Sequence, residues 1–343
     1  MADLRRATIN DVAVAAAVSR STVSRALNGT GYVAAQVRER VLEAADRLGY
    51  VPNASAQHLR RQGSTAVGLL VPELGNSFYG QLATGVSEHA RRSGLATILS
   101  VSGTEGEDEQ PAQAFVELRV AGAIIAASSA EVGQYLARHG VPTVEVDRQF
   151  SEGATDAVVV DNVGGAHRLT SRLVDEGHRR IAILLDETHW TTGRDRYAGY
   201  RQALERAGID VVPELVVSAG WDVQAAQRAA TGLLSGPRPT AVFAANNLLA
   251  EGAWRAAADL GLRIPDDLSL VSFDDAGWMT MVSPGITTVA QDPLLVGRTA
   301  VDVLLERRAD PAVPVRTVVV PAALVPRGST AAPGPKEPAA VRR

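Results

Sequence analysis

The sequence predicts an α/β protein in which a small all-α N-terminal segment precedes a larger core of parallel sheets flanked by helices. Two observations lead to this prediction. The first fifty residues are rich in alanine and show helical spacing of apolar residues, whereas short apolar runs alternate with helical stretches from Thr65 onward. The chain, at 343 residues, is also too long for one ordinary core. We therefore expect at least two folding units.

Composition excludes several classes of protein. Apolar residues make up 46% of the chain, enough for well-packed interiors, and aromatic residues make up only 4%. Cysteine is absent, which rules out a disulfide framework, a thiolate metal site and a cysteine nucleophile. The N-terminus lacks the apolar core of a signal peptide, and no run reaches the roughly 18 apolar residues of a membrane span. These features predict a soluble, cytoplasmic protein without a membrane partner.

The net charge of −4 is unevenly distributed. Residues 1–63 contain nine arginines and five acidic residues, whereas the remaining 280 residues contain 25 basic and 33 acidic residues. A basic N-terminal segment on an acidic body suits nucleic-acid binding by the N-terminal segment alone.

Three short helices are predicted in the N-terminal segment. Thr8 and Asp11 have the spacing of a capping box at the start of the first helix. Ser19 can cap the second helix, and Asn28-Gly29 ends it because these residue types tolerate the left-handed conformation. The third helix spans roughly Gln36 to Leu48, where apolar residues line one face.

The second of these helices carries an unusual density of hydroxyl and guanidinium groups. Two helices joined by a tight turn, with such side chains on the second, describe a helix-turn-helix whose second helix enters the major groove of DNA. Arg20 and Ser21 occupy its first positions, where an arginine can bind guanine with about 1–3 kcal/mol of discrimination. The short side chains Ser19, Thr22, Ser24 and Asn28 suit phosphate contacts. A capped surface helix in a solvated bundle is the alternative.

The core prediction rests on eight apolar runs that read as strands. They are AVGLLVP, LATILSVS, GAIIAAS, PTVEVD, AVVVD, RIAILL, AVFAAN and LSLVSFDD. Polar residues follow several of the runs, at Asp147, Asp186, Asn246 and Asp274-Asp275. Ligands of open parallel sheets bind in the crevice at the carboxyl ends of the strands, so two facing sheets would form a ligand cleft.

Longer segments of the sequence resemble a known family. TINDVAVAAAVSRSTVSRALNG, followed by RERVLEAADRLGYVPN, is similar to the head of lactose-repressor-type (LacI/GalR family) transcription regulators. The resemblance continues over nearly the whole chain, through LGNSFYGQL, DNVGGAHRLTSRLVDEGHRRIA, RDRYAGYRQAL and AANNLLAEGAWRAAADLGLRIPDDLSLVSFDD. It implies a helix-turn-helix head, a hinge and a two-subdomain core resembling periplasmic binding proteins. It also implies homodimers or tetramers that bind pseudo-palindromic operators. The absence of a leucine-heptad tail favours a homodimer here.

The resemblance divides the chain into segments. The helix-turn-helix DNA-binding domain spans 1–51, the hinge helix or linker 52–64 and the effector-binding and dimerisation core 65–327. Within the core, the N-subdomain takes about 65–162 and 292–316, and the C-subdomain takes about 163–291 and 317–327. A tail rich in proline, alanine and glycine, 328–343, is expected to be disordered.

The resemblance also implies the DNA contacts. It assigns Arg20, Ser21 and Arg25 to base readout, and it assigns Thr8, Ser19, Thr22 and Asn28 to positioning. Ser24 joins the DNA-binding set because its side chain has the right size for a phosphate contact. In the hinge, the expected contacts are Asn53, Ala56 and Leu59, of which Leu59 wedges into the minor groove at a central CG step.

Three positions depart from the family pattern. Ala17 stands where the turn usually has glycine, and Ala34-Ala35 replaces the usual serine or threonine cap of the third helix. The missing cap is expected to cost on the order of 1 kcal/mol, and Ala17 should cost about as much if its position requires a positive φ. Ser55 replaces an apolar residue that pairs the two hinge helices, which weakens the expected pairing.

A sugar or similar polyhydroxyl effector needs charged and amide groups for its hydroxyls and a flat aromatic ring for its apolar face. The candidate effector-binding residues are Phe78, Asp147, Arg196, Trp221, Asn246 and Asp275. Strand-end polar residues that merely cap neighbouring helices are the alternative for this set.

The sequence thus predicts a ligand-responsive, DNA-binding transcriptional regulator. The main hypothesis is a repressor of sugar or related small-molecule uptake or catabolism genes, released from a palindromic operator by its effector. A corepressor-dependent regulator is the alternative. A sugar kinase would need phosphate-binding signatures, which are absent, and a solute-binding protein would carry a signal peptide instead of a basic head. No enzyme activity, cofactor or metal site is predicted.

Overall fold

The computed structural model describes residues 7–50, 64–102, 109–186 and 190–334. The chain forms two compact units, Met1–Ser64 and Thr65–Arg343, which we call the head and the core. Within the described ranges, no helix is long and apolar enough to cross a membrane.

The head contains the three predicted helices, α1 (Ile9–Ala15), α2 (Arg20–Asn28) and α3 (Ala35–Arg47). The capping box at the start of α1 forms as predicted, since the Thr8 amide donates to Asp11 and the Asp11 amide donates to the Thr8 hydroxyl. Gly29 ends α2 in the left-handed conformation, with φ of 66°. One small core joins the helices, formed by Val12, Ala13, Ala16, Val23, Ala26, Val41, Ala44 and Ala45.

Both predicted weak points of the head are present. Ala34 caps α3 without a side-chain hydrogen bond, so the first amides of this helix lack a side-chain acceptor. Ala17, in the turn between α1 and α2, has φ of 55°, a left-handed conformation in which its Cβ is crowded.

We expect Ala17→Gly to stabilise the head by about 1 kcal/mol, because glycine adopts positive φ without this strain. Thermal unfolding of the full-length protein should show a raised head transition. The matched control Ala15→Gly places glycine at the last residue of α1, where the backbone is still helical, and should destabilise the head. A lowered transition in both variants would contradict the strain at position 17.

The core contains two six-stranded sheets. The first sheet has the order β11-β5-β4-β3-β1-β2 and is entirely parallel. Its strands are β1 (Ala66–Val71), β2 (Ala96–Val101), β3 (Ala123–Ile125), β4 (Thr143–Val146), β5 (Asp156–Val160) and β11 (Thr317–Val320). Its helices are α4 (Ser77–Arg92), α5 (Glu109–Glu117), α6 (Ala130–Arg138) and α11 (Pro293–Ala309).

Successive side chains of the first sheet reach opposite faces, as the pleat requires. Leu69 and Ile124 join the interior under α4 and α11, whereas Leu70 and Ile125 join a second cluster with Phe115 of α5. Helices thus cover both faces, which explains why these strands read as continuous apolar runs.

The second sheet has the order β12-β10-β9-β8-β6-β7 and is parallel except for β12. Its strands are β6 (Ile181–Leu185), β7 (Val216–Ser218), β8 (Ala241–Ala244), β9 (Ser269–Phe273), β10 (Thr287–Ala290) and β12 (Ala323–Val325). Two helix pairs accompany it, α7 (Asn162–Asp175) with α8 (Thr191–Arg206) and α9 (Val223–Ser235) with α10 (Asn247–Asp259).

The structure corrects one predicted subdomain boundary. Residues 317–327 were assigned to the C-subdomain, but β11 pairs with β5 of the first sheet, with Thr317 beside Ala157 and Val320 beside Val160. The chain therefore passes to the second sheet only after Val320. Of residues 317–327, only those from β12 onward belong to the second sheet.

The prediction of a disordered tail from residue 328 is wrong for residues 328–334. Ser329 is fully buried, accepts from the Thr287 amide at 2.8 Å and donates to the Leu270 carbonyl at 2.5 Å. The Ala331 carbonyl accepts from His178 at 2.9 Å. These bonds satisfy polar groups of a segment whose composition alone suggested disorder. Residues 335–343 lie outside the described ranges.

Candidate nucleic-acid interface and ligand cavity

Helix α2 presents a polar face opposite its buried side. Val23 and Ala26 point into the head core, while the side chains of Arg20, Ser21 and Arg25 are exposed. This separation follows from helical periodicity, since positions 20, 21, 24, 25 and 28 share one side of the helix. The exposed face is therefore the part of α2 that can meet base edges.

Local bonds already occupy some of the predicted contacts on α2. The Ser19 hydroxyl accepts from the Thr22 amide at 3.2 Å, and Arg25 Nε donates to the Ser21 carbonyl at 3.3 Å. Asn28 donates to Ser24 at 3.3 Å, and both are half-buried. The exposed guanidinium of Arg20 has no hydrogen-bond partner among the described residues.

The predicted hinge contacts Asn53, Ala56 and Leu59, with Ser55, lie outside the described residues. Their roles stay predictions from the sequence.

A cavity of the core lies at the carboxyl ends of the strands of both sheets. It encloses about 430 Å³, counting its open mouth. Glu73 follows β1, Asp147 follows β4, Asp186 follows β6, Asn246 follows β8 and Asp274 follows β9. This is the position that the strand-end argument predicts for a ligand site. The other lining residues are Asn76, Phe78, Tyr79, Arg148, Trp190, Thr192, Arg196, Trp221, Leu248 and Gln291.

Four aromatic rings form walls of the cavity in two edge-to-face pairs. Phe78 and Tyr79 have ring centroids 5.1 Å apart, and Trp190 and Trp221 have centroids 6.2 Å apart. Flat apolar surfaces beside polar groups are suited to the faces of a sugar ring.

Both guanidiniums of the cavity are held by protein groups. Arg196, at 3% exposure, donates to Asn162 Oδ1 at 2.9 Å and to the Ala245 carbonyl at 2.6 Å, and lies over the Phe273 ring. Arg148 lies 3.5 Å from the centre of the Trp190 ring and donates to the Tyr79 hydroxyl at 3.3 Å. These bonds fix the position of the positive charge at the site.

Asp147 and Asp274 turn toward the cavity through left-handed backbone conformations, with φ of 65° and 70°. Aspartate is among the residues that tolerate this region. Tyr79 donates to Asp147 at 2.9 Å, and Gln291 donates to Asp274. Strain of this kind is common at functional sites.

Burial raises the pKa of three cavity carboxyls, Glu73, Asp186 and Asp274. Loss of hydration disfavours the charged form more than the nearby arginines favour it. Burial also holds the pKa of Tyr79 well above its ordinary value, so this hydroxyl stays protonated and donates to Asp147. The cavity therefore holds acidic groups whose ionisation is costly until a partner arrives.

Three contacts near the cavity join the part of the core that belongs to the first sheet to the part that belongs to the second. Asn247 donates to Asn76 Oδ1 at 2.9 Å, at the starts of α10 and α4. The amide of Gln149 donates to the Thr191 hydroxyl at 3.0 Å. The stacking of Arg148 on Trp190 is the third. These contacts hold the two sheets together around the cavity.

The structure brings five predicted effector residues together in the cavity: Phe78, Asp147, Arg196, Trp221 and Asn246. Asn246 is also the N-cap of α10, where it accepts from the Leu249 amide at 2.9 Å. This residue therefore both caps a helix, as the alternative interpretation proposed, and lines the cavity. Asn247 does not cap this helix.

Asp275 is the one predicted effector residue that does not line this cavity, so its role in the effector site stays a prediction. Its carboxylate forms a two-pronged ion pair with Arg327, with both N–O distances at 2.7 Å, and it does not line the cavity. The neighbouring Asp274 lines the cavity instead. Two adjacent residues at a strand end point to different sides, and Arg327 supplies the partner that draws Asp275 away.

The candidate effector set omitted ten lining residues. Two of them, Asp186 and Asp274, were recognised in the sequence as strand-end residues at the expected cleft but were not chosen as effector contacts. Arg148 and Trp190 carried none, since their place depends on how the two sheets meet.

Comparison with known proteins decides the family. Residues 8–53 match the profile of the bacterial regulatory proteins of the lacI family, and residues 170–330 match a periplasmic binding protein-like domain. The ribose operon repressor of Haemophilus influenzae is 31% identical over 326 residues, covering 94% of this chain and 98% of that protein. The chain belongs to the lacI family.

Solved structures of lacI-family regulators share this fold. The lac repressor dimer bound to operator and the anti-inducer ONPF has a TM-score of 0.83 and 29% identity, covering 96% of this chain and 100% of that chain. The complex of the regulator CelR with cellobiose has a TM-score of 0.72 and 31% identity, covering 94% and 100%. The predicted fold class and the prediction of a DNA-binding transcriptional regulator are thereby confirmed.

Proposed function

We propose that this lacI-family protein is a repressor that leaves a palindromic operator when a polyhydroxyl ligand enters the cavity of its core. The observation that carries the proposal is the cavity itself, where carboxylates, amides and two guanidiniums stand beside four aromatic rings at the strand ends of both sheets. Such a combination suits a sugar, whose hydroxyls need polar partners and whose ring faces need flat apolar ones.

The structure of the head supports the part of the proposal that concerns operator binding. Two copies of the exposed face of α2, carried by a homodimer, read the two halves of the operator through Arg20, Ser21 and Arg25. The protein acts in the cytoplasm, where its DNA is, and works by binding rather than by catalysis.

Ligand control follows from thermodynamic linkage. A ligand that binds one arrangement of the two sheets better than another shifts the protein toward that arrangement, and operator affinity changes by the same coupling free energy. A change in the arrangement of the two sheets would break or re-form the contacts that join them, such as that of Asn247 with Asn76. Coupling of about 1–3 kcal/mol changes operator affinity by about 5–150-fold.

The test starts with selection of genomic DNA fragments by the full-length protein at near-physiological salt. We expect a shared palindrome with a central CG step, upstream of transport or catabolic genes. Fluorescence anisotropy on that palindrome should then show release on addition of a sugar handled by those genes. Recovery of no discrete site would overturn the proposal, and tighter binding on addition of the sugar would replace induction by corepression.

A pair of variants tests whether the ligand binds in this cavity and not elsewhere in the core. Trp221→Ala removes a ring of the cavity wall and should abolish release while leaving operator affinity unchanged. Tyr135→Ala removes a ring on α6, where Tyr135 packs against His139 away from the cavity lining, and should leave release intact. Normal release by the Trp221 variant would place the ligand elsewhere.

A further inference from the structure

A buried carboxyl group, that of Glu145, interrupts the apolar strand β4. Val144 and Val146 on either side of it belong to the interior under α4 and α11. Glu145 reaches the opposite face, beside Ile125 in the strand register, and is 1% exposed. Burial raises the pKa of Glu145, while hydrogen bonds from the loop that follows act in the other direction. A carboxyl group in such surroundings is costly unless its hydrogen bonds offset the loss of hydration.

The segment after β4 brings two charged side chains to the cavity. We call residues 147–151 the cavity loop, because Asp147 and Arg148 at its start line the cavity. Asp147 accepts from the Tyr79 hydroxyl, and Arg148 lies over the ring of Trp190, which belongs to the part of the core built on the second sheet. The placement of both side chains therefore depends on the path of this short backbone.

Each of the five amides of the cavity loop has a hydrogen-bond partner, and two of them donate to Glu145. The first two amides donate to carbonyls of β5 and β4, and the amide of Gln149 donates to the hydroxyl of Thr191, on α8, at 3.0 Å. The amides of Phe150 and Ser151 donate to Glu145 Oε2 at 3.1 and 3.2 Å. Glu145 therefore anchors the end of the cavity loop to the first sheet, while the middle of the loop contacts a helix of the second.

Loss of this acceptor would change the path of the cavity loop. Two adjacent amides of half-buried residues, Phe150 and Ser151, would need new partners, and water is the nearest source. A backbone that turns toward water at its end pulls on Gln149 and, through it, on Arg148 and its contact with Trp190. Binding sites weaken when the groups that support them are loosened, so the cavity should lose affinity for its ligand.

We propose that Glu145 is a positioning residue of the ligand site, which holds the cavity loop to the first sheet so that Asp147 and Arg148 keep their places at the cavity. This inference rests on the proposed function and adds a residue on which the ligand response depends. Glu145 does not line the cavity, so it acts through the loop and not by touching the ligand. What the loop requires is an acceptor at the position of Oε2, and a glutamine oxygen can supply it.

The first experiment follows Trp190 in the unliganded full-length protein. Glu145→Leu removes the acceptor and places a side chain of similar size beside the apolar cluster that contains Ile125. We expect its tryptophan fluorescence to differ from that of the wild type, because Arg148 leaves the Trp190 ring. The difference should vanish when both proteins also carry Trp190→Phe. Glu145→Gln keeps an oxygen for both amides and should retain the wild-type spectrum.

The second experiment measures release from the selected operator by ribose, glucose, cellobiose and the sugars handled by the neighbouring genes. For a sugar that releases the wild type, Glu145→Leu should require about tenfold more of it, or still more, because the site is no longer held in place. Operator affinity without sugar should stay unchanged. Glu145→Gln should respond within about twofold of the wild type, since the hydrogen bonds to the loop are kept.

Thr143→Val is the matched control. Thr143 is buried on the same strand and the same face as Glu145, and its hydroxyl donates to the Val141 carbonyl at 2.9 Å, away from the cavity loop. This variant should keep both the fluorescence and the release of the wild type. Glu145→Met, whose flexible side chain adapts to irregular gaps, takes the place of Glu145→Leu if the leucine variant does not fold.

The outcomes separate this inference from the proposed function. Wild-type fluorescence or wild-type release in a folded Glu145→Leu or Glu145→Met variant overturns the inference, and so does an equal loss in Glu145→Gln or Thr143→Val. Weakened operator binding without sugar, or failure of both apolar variants to fold, makes the role of Glu145 structural and overturns it as well. If no sugar releases the wild type, the proposed function fails and the ligand role of Glu145 with it. The fluorescence of the unliganded variants then still decides whether Glu145 holds the cavity loop.

Discussion

Arg20→Ala is expected to weaken binding to the selected operator by about 1–3 kcal/mol in each half-site, and about twice that for a dimer on both halves. The reason is the position of Arg20, which is exposed on the first turn of α2 and has no hydrogen-bond partner among the described residues. Truncation therefore removes a contact to DNA without removing a bond within the head. The loss should fall on one base pair of each half-site.

Operator variants measured by fluorescence anisotropy provide the check. Each base pair is changed in turn, and the Arg20 variant should be insensitive at the position that its guanidinium reads. Arg47→Ala is the control, since it removes the same charge from the exposed end of α3 and should leave base preference unchanged. Equal losses on operator and scrambled DNA in the Arg20 variant would show that Arg20 contacts only phosphates.

Asp156→Ala is expected to destabilise the core by about 3–5 kcal/mol. Asp156 is 3% exposed at the start of β5 and forms an ion pair with Arg307 of α11, with N–O distances of 2.8 and 3.1 Å. It also accepts from the Arg316 amide at 3.0 Å, directly before β11. One carboxylate thus joins three elements. Its loss removes the counter-ion of Arg307, which keeps only its bonds to backbone carbonyls, and leaves the Arg316 amide without this acceptor.

Denaturant unfolding of the core, followed by tryptophan fluorescence, measures this effect. Asp302→Ala is the control because it removes an aspartate of an exposed pair, with His89, which should contribute about 0–1 kcal/mol. The double variant Asp156→Ala, Arg307→Leu should recover part of the loss, since it no longer leaves a charge unpaired. A similar loss for Asp302→Ala and Asp156→Ala would contradict the special role of the buried pair.

Much of the fold could be predicted because its local signals agree with its tertiary structure. The eight apolar runs form eight strands. The head helices begin and end within one or two residues of the positions predicted from their capping residues. The missed strands β7, β10, β11 and β12 are short, with three or four residues each. The exposed and half-exposed pattern of β11 and β12 carries little sequence signal.

The cavity was predictable only as far as strand ends could be located. Asp147 and Asn246 follow from this rule, but the choice between Asp274 and Asp275 depends on the direction of each side chain after β9. Arg327 decides it, and the ordered segment that carries Arg327 was predicted to be near the chain's disordered end. A partner that is distant in sequence cannot be read from local composition.

The pairing of β11 with β5 determines how the chain can fold during synthesis. Val160 at the end of β5 lies beside Val320, and all of the second sheet except β12 is encoded between them. The first sheet therefore stays incomplete, with the edge of β5 unpaired, until almost the whole chain has left the ribosome. Contacts this far apart close slowly because of their loop entropy. The head, built from local contacts alone, can fold long before the core that controls it.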